Sequence, residues 1–168
     1  MNKVVSKIVN FGDYSSYEQN PELQLCLKEI LRIHTSVPYM FGRIALKNIK
    51  LGKYTIYKGT RIFTVPGAWH SNEDDFKDAK KFKPERFSKE ELSKNKPLHP
   101  LSFMPFGFGK RNCIGRYMAE LMIGIIFTNA VKRFELHSLE NWHTDIEQSL
   151  TYKPKQTYLR FKLRAQNK

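Results

Sequence analysis

Residues 103–122, FMPFGFGKRNCIGRYMAELM, change character within a few positions. An irregular stretch with Gly107, Gly109 and Gly115 runs straight into an apolar segment, and Cys113 sits at the join. Glycines so placed let a backbone turn sharply and approach a neighbour closely. The segment Gly115–Phe134 is hydrophobic nearly all round, which predicts a helix that is central rather than peripheral. The chain must therefore fold as a tight loop feeding a buried helix, with a thiol at the hinge.

A reactive thiolate needs an electropositive setting and a backbone that lets its ligand come close. Arg111 lies two residues before Cys113, and the positive end of the following helix is expected to point towards the sulfur. Phe106 is placed to shield that sulfur, and Arg111 to pair with a carboxylate. On these grounds alone three readings stand. Cys113 is a structural cysteine in a first helical turn, a redox-active or nucleophilic one, or a ligand.

Cys26, the other cysteine, lies in the apolar pattern LQLCLKEIL. Two distant cysteines make no disulfide framework, and no Cys/His spacing suggests zinc. The five histidines are scattered and read as polar, surface or half-buried residues. A length of 168 residues suits one domain. The balance of 29 basic against 16 acidic residues, +13, favours an acidic partner or anionic surface. No nucleic-acid motif accompanies it, so nucleic acid is not the expected partner. The longest apolar run, LMIGIIF, is far short of a membrane span, and MNKVVSKIVNFGDYSS is too interrupted for a signal peptide. The expectation is a soluble, cytoplasmic chain as given, any anchor being lost with a missing N-terminal part.

Before the loop, NPELQLCLKEILRIHT predicts a helix with Asn20 as cap and Pro21 at its first position. Leu23, Leu27, Ile30, Leu31 and His34 recur at helical spacing and define its expected buried face. Residues 43–65 alternate between β-branched or aromatic runs and glycine turns, predicting two or three short strands. Residues 71–102 read as an extended meander with one short helix near Lys89–Lys94. TYLRFKLR predicts a final strand. The fold class is mainly α with small β-sheets.

Phe106, Gly109, Arg111, Cys113 and Gly115 spell FxxGxRxCxG. That pattern resembles the haem-binding signature of the cytochrome P-450 family. KEILR, with Glu29 and Arg32 three residues apart on one helical face, resembles the family's ExxR motif. FKPERF, carrying Arg86, resembles its PERF motif, and AWHSNEDDFKDAKKFKPERF resembles AxHRDPxxFxDPxxFxPERF, with departures that include Ser71, Asn72 and Ala79.

The resemblance implies that Cys113 is the axial ligand of haem b iron, its thiolate favouring oxygen–oxygen cleavage. It further implies that Arg111, with Arg43 just before the first strand, meets haem propionates. Glu29, Arg32 and Arg86 would form a structural triad that ties the meander to the helix. The implied reaction is monooxygenation of a lipophilic small molecule, with electrons from an acidic reductase or ferredoxin. The likeness runs from residue 21 to 164, with residues 1–20 poorly defined, and makes 1–168 a single partial domain. It matches only the C-terminal third of a family member, so the oxygen-activating I helix is missing and no catalytic residue is identifiable. The alternatives are a haem-binding or vestigial protein without turnover, and a basic interaction module without haem.

Overall fold

The computed structural model describes residues 20–37, 39–40, 42–94, 98–138 and 145–165. The N-terminal stretch through residue 19, and His143, lie outside the described residues. Helix α1 spans Pro21–Ile33. Asn20 Oδ1 accepts the Leu23 N–H at 3.0 Å, and Pro21 occupies the first turn, where its missing N–H costs nothing. The buried residues of α1 are Leu23, Cys26, Leu27, Glu29 and Arg32. Of the expected apolar face, then, only Leu23 and Leu27 are buried; Ile30 and Leu31 are half-buried and His34 is exposed. The cause is the meander, which packs on the side bearing the charged pair.

Four short strands follow rather than two or three. Strands β1 (Arg43–Ile44) and β4 (Arg61–Ile62) pair antiparallel, and between them β2 (Ile49–Leu51) and β3 (Tyr54–Ile56) form a hairpin. Its turn passes through Gly52 at φ +56°, a conformation glycine adopts without strain. Helix α2 (Pro66–His70) leads into the meander, which includes a 3-10 turn at Pro84–Phe87 and helix α3 at Lys89–Lys94. Ser88 caps α3, its Oγ accepting the Glu91 N–H at 3.1 Å. Phe76, Ala79 and Phe87 give the meander its own small core, joined by Phe103, whose ring centroid lies 4.8 Å from that of Phe87.

Helix α4 spans Arg116–Arg133. It meets α1 through Leu23 and Val131, flanked by Phe127 and Leu136. Its buried residues are Gly124, Thr128 and Val131, while Tyr117, Met118, Met122, Ile123 and Ile126 are exposed. The expectation of a central helix is therefore corrected: α4 is apolar all round, but the described residues cover only one side of it. The two-stranded sheets are too small to supply a second layer. β5 (Phe134–Ser138) continues directly from α4 and pairs antiparallel with β8 (Leu159–Leu163), while β6 (Ile146–Gln148) pairs with β7 (Tyr152–Pro154). Arg164 pins the tail to the helix end, its Nε donating to Val131 O at 2.8 Å and to Phe134 O at 3.2 Å. Among the described residues no helix is long and apolar enough to cross a membrane.

Candidate functional site

The loop ahead of α4 is built by its backbone. The Gly107 N–H donates to Met104 O at 3.1 Å, and the chain then turns through Gly107 (φ +75°) and Gly109 (φ +70°). Both values lie where an L side chain is strained, which accounts for glycine at each. A 3-10 turn, Gly109–Arg111, follows. The Cys113 N–H then donates to Phe106 O at 2.9 Å and closes the loop on itself. Cys113 is exposed and stands two residues ahead of Gly115, the N-cap of α4, rather than within the first turn. A Cβ on Gly115 would lie 3.8 Å from Cys113 Sγ, an ordinary contact, so crowding does not explain that glycine.

The side chains around the thiol open outwards. Phe106 is half-buried, and the Arg116 guanidinium stands 6.0 Å from its ring centroid while also pairing with Glu120 at 3.0 Å. Phe106 contributes its carbonyl to Cys113 but leaves the sulfur exposed. Phe108 is exposed, and Ile114, beside the cysteine, is fully so. Arg111 is exposed and pairs with no carboxylate among the described residues. Arg43 is the first residue of β1 rather than the residue before it, lies opposite Ile62, and is also exposed.

Glu29, Arg32 and Arg86 are brought together. Glu29 is completely buried, and Arg32 grips it with two bonds, Nε to Oε2 and Nη2 to Oε1, both 2.8 Å. Arg86 Nε donates to the same Oε1 at 3.1 Å, and the Lys83 N–H does so at 2.9 Å. Arg32 also donates to the carbonyls of His70 and Ala79, each at 2.7 Å, and Arg86 to that of Lys77 at 3.0 Å. The meander's bend is fixed beside them at Asp78, φ +55°. Lys83 and Lys81 hold the Asp78 carboxyl down at a pKa of about 2, in that order of strength.

His70 went unremarked among the scattered histidines, yet it is one of the most buried residues. Its Nε2 faces the Met104 N–H at 3.1 Å, and its Nδ1 faces Thr35 Oγ1 at 3.1 Å. Burial first, and the Arg32 charge second, lower its pKa to about 4. The one signal for it in the sequence was its place in AWHSNEDDF.

The family model for cytochrome P450 matches residues 4–161. The chain belongs to the cytochrome P450 family. It is 38% identical over 121 residues to a mitochondrial 1,25-dihydroxyvitamin D(3) 24-hydroxylase of Rattus norvegicus, covering 72% of this chain and 23% of that protein. It is 34% identical over 116 residues to a steroid 17-alpha-hydroxylase/17,20 lyase of Ictalurus punctatus, covering 69% and 22%. The solved haem domain of cytochrome P450DA superposes with a TM-score of 0.86 at 26% identity, over 96% of this chain and 36% of that one. The chain thus spans less than a quarter of the length of the curated relatives it matches.

Members of the cytochrome P450 family generally carry haem and draw on redox partners. A cleft of about 720 Å³ runs between α1 and α4 in this P450 chain, lined among others by Leu27, Lys28, Phe106, Arg116 and Tyr117. Cys113 is not among the residues lining it, although Phe106 and Gly107 of its loop are.

Proposed function

We propose that this chain is the thiolate-bearing portion of a cytochrome P450 whose whole protein inserts one oxygen atom into a lipophilic organic substrate. The single observation that carries the reading is Cys113: an exposed thiol on a loop closed by its own backbone hydrogen bond to Phe106. The residues present fit haem. Gly107 and Gly109 present no side chain to a flat ring, and the soft sulfur is a donor suited to iron. In this reading Cys113 would hold the iron of haem b through its sulfur, with Gly109, Gly115 and Phe106 shaping its loop. Arg111 and Arg43 would meet the propionates. When bound, haem supplies the oxygen chemistry.

The remaining residues hold geometry. Glu29, Arg32 and Arg86 fix the meander to α1. The relatives named as vitamin D and steroid hydroxylases support a lipophilic substrate. The excess of basic residues suits an acidic reductase or ferredoxin. A second reading, haem binding without turnover by this chain alone, is favoured by the open faces of Ile114 and α4. A water-filled face weakens electrostatic control of the reacting atoms.

The test is spectroscopic. The purified chain, titrated with haem, reduced and exposed to carbon monoxide, is expected to give the red-shifted Soret band of thiolate ligation. Cys113→Ser should abolish the band and Cys26→Ser should leave it. An unchanged band in the Cys113 variant would overturn the assignment. Coupled product formation by the chain alone would remove the non-catalytic reading.

A further inference from the structure

The two ends of His70 serve two different assemblies. Its carbonyl accepts Arg32 Nη1 at 2.7 Å and belongs to the charged network under the meander. Its ring faces the other way, towards Met104 and the cysteine loop. A backbone amide can only donate, so Nε2 must be the accepting nitrogen. The ring proton then sits on Nδ1 and is donated to Thr35 Oγ1 at 3.1 Å. The tautomer is thereby set by its neighbours.

Met104 is where the loop begins to turn. Its N–H goes to His70, its carbonyl accepts the Gly107 N–H, and two residues later Phe106 O accepts the Cys113 N–H. We propose that His70 is the positioning residue of the cysteine loop: through Thr35 and Met104 it connects the end of α1 to the backbone from which Cys113 is suspended. The Phe103 ring, 5.5 Å away and tilted, fills the space beside the imidazole and fixes its plane. The buried, charge-flanked setting keeps the ring neutral and able to accept. The importance of the loop rests on the haem-thiolate reading; the linkage itself does not.

The experiment is amide hydrogen exchange on the full haem-free chain, wild type against His70→Phe and His70→Gln. Phenylalanine keeps a ring but cannot accept, whereas glutamine's carbonyl oxygen can. His70→Phe should raise exchange at Met104, Gly107 and Cys113 about tenfold, the factor expected for one lost buried hydrogen bond. Exchange at His34 and in the hairpin Ile49–Ile56 should stay at the wild-type value, and His70→Gln should restore most of the loop's protection. If His70→Phe fails to fold, Thr35→Val, which removes only the acceptor for Nδ1, should produce a smaller rise at the same three amides. Unchanged exchange at Met104 and Cys113, or an equal rise throughout the molecule, would overturn the proposal and leave His70 as core filling. Failure of the wild-type chain to bind haem would count against the haem-thiolate reading and leave this measurement standing.

Discussion

Glu29 and Arg86 stand 57 positions apart in the chain, yet Arg86 Nε donates to Glu29 Oε1 across 3.1 Å. That one oxygen also accepts from Arg32 and from the Lys83 backbone, so a single buried carboxylate gathers the helix and the meander. Removing one member strands the others' charge away from water. Glu29→Ala and Arg32→Ala should each cost about 3–5 kcal/mol. Arg86→Ala should cost less, because its side chain retains 11% exposure. The double variant Glu29→Ala/Arg32→Ala should lose clearly less than the sum, since the groups share one network. Denaturant midpoints measure this, and additive losses would show that Glu29 and Arg32 act independently.

Stability should fall on mild acidification because of His70. Its folded pKa, about 4, lies below the ordinary value of 6.5, so the unfolded chain binds the proton more readily. The contribution is fully present above pH 6.5 and drains away as pH drops towards 4. Its full size is at most about 3 kcal/mol. Charging the ring would set an N–H against the Met104 N–H, with Arg32 nearby. Thermal midpoints from pH 7 to 4.5 should decline more steeply in wild type than in His70→Gln. Parallel curves would contradict the assignment.

The two thiols should react on different scales. Cys113 is exposed, whereas Cys26 is buried and its pKa is pushed up to about 11 by burial and then by Glu22 and Glu85. At pH 8 only about one Cys26 in a thousand is thiolate. Iodoacetamide should add one carbamidomethyl group to the native chain, at Cys113, with the second appearing only on unfolding. Peptide mapping that finds Cys26 labelled first would refute the burial.

Glycine substitutions should separate by backbone angle. Gly107→Ala places a side chain at φ +75° and should cost about 1–2 kcal/mol. Gly67→Ala, inside α2 with nothing within 4 Å of the new Cβ, should be neutral or stabilise by about 0.4–1 kcal/mol. Equal effects in calorimetry would remove the argument from loop geometry.

Met118, Met122 and Ile126 recur at four-residue spacing on α4 and are all exposed. An apolar stripe of this kind drives association. Sedimentation should show self-association that rises with concentration and is weakened by Met122→Lys together with Ile126→Lys. A monomeric wild type would count against it.

Local chemistry was legible where it acts locally. Asn20 and Pro21 announced the start of α1, the glycines announced the loop, and the run after Cys113 announced α4. Periodicity failed where the environment was supplied from far away in the chain. Apolar spacing alone leaves Glu29 and Arg32 off the buried face of α1, because residues 70–87 bury them from far along the chain, and for the same reason it credits His34 with burial. His70 read as one more polar residue because both its ring partners, Thr35 and Met104, are 34 or more positions distant. The β6–β7 hairpin has every residue exposed, so it lacks the alternation by which strands are recognised.

Arg32 and Arg86 grip the chain at the carbonyl oxygens of His70, Lys77, Ala79 and Lys81. A clamp that closes on main-chain atoms leaves the side chain open wherever only the carbonyl is used, as at exposed Lys77. Its tolerance is for identity and not for count. Inserting or deleting a single residue between His70 and Lys81 would carry the oxygens out of register with two guanidinium groups at once. Positions that lend only a carbonyl are free to change letters, whereas Phe76, Asp78 and Ala79 are held by burial or backbone angle, and the ruler beneath them all stays fixed.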